Sequence, residues 1–278
     1  MENSQARQQF YHAIHRPDEA IDLATAALYI AQEEYADLDP AEYLNALDVM
    51  AKEVAARLPT PRYPLRVIQT INEYLFDDLG FAGNSQDYYD PRNSYLNQVI
   101  DRRTGIPITL SLVYLEIARR VDFPMVGVGM PGHFLIRPLV NEMSVCVDAF
   151  GRGEILFPED CQTRLNQIYG TSVEMQPAFF DEVTSRQVLA RMLTNLKLIY
   201  LNQSDLDRVL AVVERLLLLY PDAITEQRDR GLLRYQLGHL SSAIQDLQAY
   251  LFHNAQAQDA AQIQQILQQI QTTLDNAR

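Results

Sequence analysis

Basic residues, cysteines and long apolar runs are all scarce in this 278-residue chain. It carries 23 lysines and arginines against 36 acidic residues, which gives a net charge of −13. Nucleic-acid binding depends on clustered Lys and Arg that release counterions, so a nucleic-acid partner is not expected. Two cysteines are too few for a disulfide framework or a cysteine-rich zinc site, and the five histidines form no metal-binding motif. We therefore expect neither a metal nor another cofactor.

Hydropathy predicts a protein without a membrane span. The longest aliphatic run extends only from Leu216 to Leu219, whereas a helix that crosses a bilayer needs about 20 apolar residues. The segment MENSQARQQF at the start of the sequence lacks the apolar core of a signal peptide. These features favour a cytoplasmic protein.

The apolar pattern changes along the chain and predicts an α+β domain, residues 1–185, followed by an all-helical domain, residues 186–278. Residues 4 to 58, 65 to 79 and 108 to 121 have the apolar spacing of helices. A turn-rich stretch, residues 80–95, predicts a loop that is either functional or simply an ordered part of the surface. Four β-branched runs predict an antiparallel meander: Val126 to Gly129, His133 to Arg137, Ser144 to Val147 and Glu154 to Phe157.

The helical domain contains an internal repeat. Three pairs of positions are related by the same shift of 34 residues: Val209 with Ala243, Val213 with Leu247, and Ser204 with Gly238. This period is that of the tetratricopeptide repeat, a helical hairpin that buries its apolar face by stacking on a neighbour. Two interpretations remain open, since such a stack can pack onto the first domain or bind a protein or peptide partner.

The segment from Gly105 to Phe150 has the layout of a Cys-His-Asp thiol enzyme. Such a site needs a thiolate at a helix N-terminus, a histidine within reach and a carboxylate that orients the histidine. His133 and Asp148 lie on successive predicted strands and can supply the last two groups. The predicted helix, however, begins at Pro107, which has no nucleophile and no N–H and is a favoured first residue of a helix.

Two other residues are candidate nucleophiles, Ser111 in the same helix and Cys146 two residues before Asp148. Thr109 is a further hydroxyl near the start of the helix. Each has a structural alternative: the hydroxyls can bond locally to the helix backbone, and Cys146 can pack as a buried apolar side chain. Cys161, in a predicted helix, is expected to pack in the same way.

Four arginines flank the predicted site: Arg102, Arg103, Arg137 and Arg152. If they converge, the cleft is positive and suits a carboxylate or an acidic peptide; otherwise they pair with the many acidic side chains. We name Arg102, Arg103, Pro107 and Arg137 as candidate binding residues. Tyr88, Tyr89 and Tyr95 are further candidates for the rim of the cleft.

The run NSYLNQVIDRRTGIPITLSLVYLEIARRVDFPMVGVGMPGHFLIRP, followed by VDAFGRG, resembles the SirB family of transglutaminase-like proteins. The resemblance is close over residues 93 to 157 and looser back to about residue 20. It implies a transglutaminase-like (papain-like) fold with a tetratricopeptide-like tail. In enzymes of that fold a cysteine opens the central helix, about seventeen residues before an Ile-Pro-like corner. Counting back from Pro124 reaches Pro107.

These observations favour a non-catalytic protein-binding, assembly or regulatory factor on a transglutaminase-like scaffold that lacks the nucleophilic cysteine. The alternative is a hydrolase or acyl transferase acting on peptide or amide bonds. It would use His133 and Asp148 with an unconventional nucleophile or an activated water. A third hypothesis is a cleft that binds a small ligand, with the tail as its readout. We make no prediction about self-association.

Overall fold

The computed structural model describes residues 5–140, 143 and 145–276. Ser4 and Ser144, which the sequence analysis assigns to a helix and a strand, lie outside these residues. The chain divides into two compact units, Met1–Met192 and Leu193–Arg278, a few residues beyond the predicted boundary at 185. Among the described residues, no helix is both long and apolar enough to cross a membrane.

In its described part, the first unit is built largely of helices. They are α1 (Gln5–Ile14), α2 (Leu23–Gln32), α3 (Pro40–Arg57), α4 (Pro64–Asn72), α5 (Leu96–Arg102), α6 (Pro107–Arg120) and α7 (Pro158–Tyr169). The start of α3 shows the local cause of a helix boundary. Asp39 accepts a hydrogen bond from the N–H of Ala41 at 2.9 Å, and Pro40 supplies the first helical residue.

The helix predicted over residues 65 to 79 is observed as two pieces. α4 is followed by a turn of π-helix, Glu73–Asp78, and Gly80 ends the segment with a φ of +74°. Two-residue strands, β1 (Ala82–Gly83) and β2 (Thr104–Gly105), then pair in parallel on either side of the turn-rich loop.

Helix α6 is the central helix of the first unit, and nearly all of its side chains are buried. A helix that is buried on nearly every side is mostly apolar, and the sequence ITLSLVYLEIA has three buried polar exceptions, Thr109, Ser111 and Glu116. Tyr114 is fully buried, and its hydroxyl donates to Asn72 Oδ1 at 3.0 Å. The helix begins at Pro107, as the sequence predicts.

A four-stranded antiparallel sheet packs beside α6 in the order of the sequence. Its strands are β3 (Met125–Val128), β4 (Leu135–Pro138), β5 (Cys146–Asp148) and β6 (Glu154–Leu156). The predicted meander and the α+β class are confirmed, but β4 begins later than predicted. His133 lies two residues before β4 because a turn precedes it: Gly132 has a φ of +75°, and the His133 N–H donates to the Met130 carbonyl.

The described part of the second unit contains helices only. Helix α8 (Ser185–Asn202) spans the division between the units and is followed by α9 (Leu206–Leu219), α10 (Ile224–Gln236), α11 (Leu240–His253) and α12 (Ala260–Asn276). The aligned repeat positions adopt matching environments. Ser204 and Gly238, 34 residues apart, both have a left-handed backbone, with φ of 58° and 78°.

The buried positions of the repeat also match. Val209 and Val213 on α9 are fully buried, as are Ala243 and Leu247 at the equivalent positions of α11. Gly231 lies against Leu247, where an added Cβ would come within 2.8 Å of the leucine side chain. The 34-residue repeat predicted from the sequence is therefore a repeat of backbone conformation and burial.

Candidate functional site

His133 and Asp148 are neighbours in the first unit. His133 Nε2 lies 3.0 Å from Asp148 Oδ2, and both side chains are buried. Neither atom forms a hydrogen bond of good geometry with a described group, so the contact is an electrostatic one at ion-pair distance. Because Nε2 faces the carboxylate, Nδ1 is the ring nitrogen directed away from Asp148.

The second oxygen of Asp148 fixes the carboxylate to the backbone. Oδ1 accepts from the N–H groups of Phe150 at 3.0 Å and Gly151 at 3.1 Å. Burial by itself raises the pKa of Asp148, but His133, the Gly151 N–H and Arg164 together hold that pKa below its usual range. The carboxylate is therefore a fixed anion beside the imidazole.

Arg164 on α7 is the second basic side chain at this carboxylate. Its Nη1 lies 3.3 Å from Asp148 Oδ2, and its Nη2 lies 2.5 Å from Glu154 Oε2. Arg164 thus ties α7 to β5 and β6 at the site. A buried carboxylate needs such partners, because an unpaired one would change its protonation state instead.

The backbone and ring of His133 have partners of their own. Arg191 donates from Nη2 to the His133 carbonyl at 2.8 Å. Burial lowers the pKa of Arg191. The rings of Phe150 and His133 meet edge to face, with centroids 6.3 Å apart, and Tyr88 contacts Phe150 at 6.1 Å. These contacts place the His133 ring in an aromatic corner.

The N-terminus of α6 is closed by Thr109 rather than by a nucleophile. Pro107 is buried as the first residue of the helix. The Thr109 hydroxyl accepts from the Ile106 N–H at 3.1 Å and donates to the Asn93 carbonyl at 2.7 Å. The hydroxyl is thus bonded to the start of the helix and to the preceding loop. This agrees with the alternative that Thr109 bonds locally and is not a nucleophile.

The two remaining candidate nucleophiles are buried. Ser111 is fully buried, and its hydroxyl has no hydrogen-bond partner among the described groups. Cys146 lies in an apolar cluster with Cys161, and the two thiols interact with each other. The proposed roles of Ser111 and Cys146 in catalysis stay predictions.

A sequence profile of the transglutaminase-like superfamily matches residues 41–194, more than half of the chain. The chain belongs to the transglutaminase-like superfamily. A second profile, for the tetratricopeptide repeat, matches residues 196–268. The predicted order of a transglutaminase-like α+β domain and a helical repeat region is confirmed.

Several curated proteins are similar to this superfamily member. A UPF0162 protein from Xylella fastidiosa is 39% identical over 242 residues, which cover 84% of each chain. A UPF0162 protein from Pseudomonas aeruginosa is 30% identical over 215 residues, covering 77% of this chain and 78% of that one. Human F-box only protein 21 is 37% identical over 139 residues, covering 47% of this chain and 21% of its own. No solved structure matches the chain.

In this transglutaminase-like protein, two of the flanking arginines pair with carboxylates. Arg102 Nη2 lies 3.1 Å from Oδ2 of the buried Asp90, and Arg152 Nη2 lies 2.8 Å from Asp77 Oδ1. These contacts favour the ion-pair alternative for both residues. They do not exclude a second role for Arg102 in binding, which stays a prediction.

The other two flanking arginines of the transglutaminase-like domain, Arg103 and Arg137, have different surroundings. Arg103 donates from Nη1 to the Leu79 carbonyl at 2.7 Å on the surface. Arg137 lines a cavity of about 270 Å³ together with Cys146 and Cys161. Within the described residues, no group of three or more His, Cys, Asp or Glu side chains is placed to hold a metal ion.

Sequence reasoning missed three residues that support the site: Arg164, Arg191 and Asn93. Arg164 and Arg191 lie on helices far along the chain from His133, and no motif marks them. Asn93 is fully buried and donates to the carbonyls of Asp87 at 2.8 Å and Tyr88 at 3.3 Å. The turn-rich loop could have pointed to Asn93, because the buried backbone groups of a long loop need hydrogen-bond partners within the protein.

The tyrosines of that loop divide into three environments. Tyr88 contacts Phe150 next to the His133 ring, and Tyr89 is largely exposed beside it. Tyr95 is buried and packs edge to face on Tyr35 at 5.5 Å. Tyr88 therefore adjoins the site, whereas Tyr95 belongs to the core.

Proposed function

We propose that this transglutaminase-like protein is a non-catalytic protein-binding, assembly or regulatory factor. The observation that carries the proposal is Pro107, buried at the first position of α6, where a thiol enzyme of this fold carries its cysteine. A helix N-terminus lowers the pKa of a thiol and so activates it. Proline offers neither a nucleophile nor an N–H for an oxyanion there.

The surroundings of Pro107 support the same conclusion. The Thr109 hydroxyl is committed to the Ile106 N–H and the Asn93 carbonyl. Ser111 is fully buried one turn further along the helix. A nucleophile must reach its substrate and its base, so the burial of Ser111 and the bonded Thr109 hydroxyl support a non-catalytic role.

The helical repeat region supports a protein or peptide as the partner. Tetratricopeptide repeats stack into extended surfaces that other proteins bind. Residues 196–268 match that repeat, and the 34-residue pattern is present in both backbone conformation and burial. The cleft predicted at His133 would then serve as a second recognition surface rather than as a reaction centre.

Three finer statements belong to the proposal. We propose that the chain is a SirB-type member of the superfamily, on the motifs GIPITLS, PGHFL and VDAFGRG. We also propose the domain limits 1–185 and 186–278. The cytoplasmic location expected from the sequence stays a prediction.

A hydrolase or acyl transferase acting on amide bonds is the second candidate. The observation that favours it is the His133–Asp148 contact at 3.0 Å, with the carboxylate oriented by two backbone N–H groups. A carboxylate that fixes an imidazole in one orientation is the supporting half of a general base. The nucleophile would then be Ser111, Cys146 or an activated water.

One experiment separates the two candidates. The full-length wild type and His133→Ala are compared in the same two assays: ammonia or amine release from glutamine-containing peptides, and cross-linking of partners in the native cell followed by mass spectrometry. A binding factor gives no release above background with either protein and a reproducible wild-type partner. Release that disappears in His133→Ala would instead establish the enzyme.

A variant at Pro107 provides a matched control. Pro107→Cys would place a thiol at the N-terminus of α6, and Pro107→Ala would change the backbone without adding one. If the scaffold still has a thiol-enzyme layout, Pro107→Cys adds a thiolate whose ultraviolet absorbance persists at lower pH than that of a free cysteine. An added thiol with ordinary titration in the folded protein would count against the positional assignment.

A further inference from the structure

The two cysteines of the chain lie on neighbouring elements on the α7 side of the sheet. Cys146 is the first residue of β5, and Cys161 lies in the first turns of α7. Both are buried, with exposed fractions of 4% and 1%. They belong to one apolar cluster with Val128, Met130, Leu135, Leu156 and Leu165. The fold thus brings two cysteines that are fifteen positions apart in sequence into the same cluster.

The contact makes the two thiols chemically different. A hydrogen bond from Cys161 lowers the pKa of Cys146, and the nearby Arg137 lowers it further against the effect of burial. The same hydrogen bond and burial raise the pKa of Cys161. Cys146 is therefore the better thiolate, and Cys161 keeps its proton until it reacts.

A cavity gives small molecules a route to the pair. It has a volume of about 270 Å³, and its lining includes both cysteines, Arg137, Met143, Pro158 and Phe180. That volume exceeds the space that one water molecule occupies several-fold, since a water takes up roughly 30 Å³ in the liquid. A peroxide or a small thiol reagent fits into the same space.

We propose that Cys146 and Cys161 form a reversible intramolecular disulfide that responds to a hydroperoxide. In the first step the Cys146 thiolate attacks one peroxide oxygen, the O–O bond breaks, and Cys146 becomes a sulfenic acid while hydroxide leaves. In the second step Cys161 attacks the Cys146 sulfur. The S–S bond forms, the S–O bond breaks, and the Cys161 proton leaves with the hydroxyl group as water. The peroxide is reduced by two electrons and the thiols are oxidised by two.

The position of the pair connects this reaction to the candidate site. Cys146 lies two residues before Asp148 on β5, and Cys161 lies three residues before Arg164 on α7. The cysteine pair, in one cluster and one cavity, and the Asp148–Arg164 contact at 3.3 Å therefore lie one after the other between the same strand and the same helix. A disulfide between Cys146 and Cys161 therefore changes the distance between Asp148 and Arg164, and with it the environment of His133.

The test uses the full-length protein with hydrogen peroxide as the probe. Purified reduced protein is treated with peroxide, alkylated, and digested for mass spectrometry without reductant. We expect a peptide pair joined through Cys146 and Cys161, a monomeric product, and full reversal by dithiothreitol. Sulfinic acid at either cysteine without the joined peptides, or a disulfide only between molecules, would overturn the proposal.

Two serine variants report the order of the steps. In Cys161→Ser, peroxide should leave a sulfenic acid at Cys146 that dimedone traps. In Cys146→Ser, the rate of dimedone labelling should fall at least tenfold. Equal labelling of the two variants would contradict the assigned roles.

The link to the site is read from the histidine ring NMR signals. The His133 signal, assigned with His133→Gln, should shift on oxidation of the wild type and not on oxidation of Cys161→Ser.

Discussion

Asp148 contacts His133 with only one of its two carboxylate oxygens. Oδ2 lies 3.0 Å from His133 Nε2, whereas Oδ1 accepts from the N–H groups of Phe150 and Gly151. The turn after β5 therefore sets the orientation of the carboxylate, independently of the imidazole. The pair is built like the supporting half of a catalytic triad even though α6 begins with Pro107.

Asp148→Asn should lower the free energy of unfolding by about 3 kcal/mol at neutral pH, because the half-buried Arg164 guanidinium and the buried His133 ring then lose their charged partner. The pKa of Asp148 is lowered in the folded protein, against burial, by His133, Gly151 and Arg164. A carboxyl group with a lowered folded pKa stabilises the protein above its unfolded pKa of about 3.9. That stabilisation is lost as the pH falls through the folded value.

Urea denaturation at a series of pH values measures this effect. The wild type and Asp148→Asn should differ most near neutral pH and converge below pH of about 4. Asp77→Asn is the matched control, because Asp77 pairs with Arg152 on the surface and is 65% exposed. Its loss should cost no more than about 0.5 kcal/mol. A difference for Asp148→Asn that stays constant down to acidic pH would contradict the assignment.

The Thr109 hydroxyl is predicted to stabilise the start of α6. Thr109→Val should cost about 3 kcal/mol, since the buried Ile106 N–H and Asn93 carbonyl both lose their partner. Thr109→Ser keeps the hydroxyl and removes one methyl group, so it should cost about 1 kcal/mol. Thermal or chemical denaturation of the two variants gives the comparison. Equal losses would show that the methyl group, not the hydroxyl, is what matters at this position.

Local signals predicted much of the fold. Proline at the first helical position fixed the start of α6, and the 34-residue shift identified Ser204 and Gly238, which share a left-handed backbone. Both signals depend on residues close together in sequence or on an exact repeat. The order of the strands followed for the same reason, because short turns force neighbouring strands to pair.

The supporting contacts of the site depend on residues that are distant in sequence. Arg191 reaches the His133 carbonyl from 58 positions away. Arg164 on α7 reaches Asp148 on β5, with 3.3 Å between Arg164 Nη1 and Asp148 Oδ2. Neither position carries a pattern that distinguishes it from an ordinary surface arginine.

The predicted start of strand β4 at His133 was wrong, because the turn at Gly132 overrode the β propensity of the residues that follow it.

Gly153 is predicted to be less tolerant of alanine than Gly170, although both have a positive φ, of 76° and 65°. At Gly170 an added Cβ meets no atom within 4 Å, so Gly170→Ala should cost only the backbone strain of about 1 kcal/mol. At Gly153 the Cβ would lie 2.1 Å from Asn72 Oδ1.

The close contact at Gly153 has a further consequence. Asn72 donates to the Gly153 carbonyl at 2.7 Å and accepts from the Tyr114 hydroxyl at 3.0 Å. If Asn72 moves, both bonds are lost, at about 1 kcal/mol each in addition to the strain. Gly153→Ala should therefore cost about 3 kcal/mol in chemical denaturation. Equal losses at Gly153 and Gly170 would mean that Asn72 moves without breaking its hydrogen bonds.

Asp246 is predicted to be the main electrostatic support of the second unit. It is 3% exposed, and its two oxygens accept from Arg230 at 2.6 Å and Arg234 at 2.8 Å. Asp246→Asn leaves two half-buried guanidinium groups with a neutral partner, so it should cost about 3 kcal/mol. Arg234 keeps its bond to Glu214 at 2.9 Å, which limits the loss.

Amide hydrogen exchange locates the effect of Asp246→Asn, because local opening of α10 and α11 is reported separately from opening elsewhere. Exchange should accelerate in those helices. Asp205→Asn is the control: Asp205 caps α9 by accepting from the Arg208 N–H at 3.1 Å, and asparagine caps a helix equally well. That variant should change stability by less than about 0.5 kcal/mol, since its ion pair is exposed. If the two variants accelerate exchange equally, the buried Asp246 network is not the support that its geometry indicates.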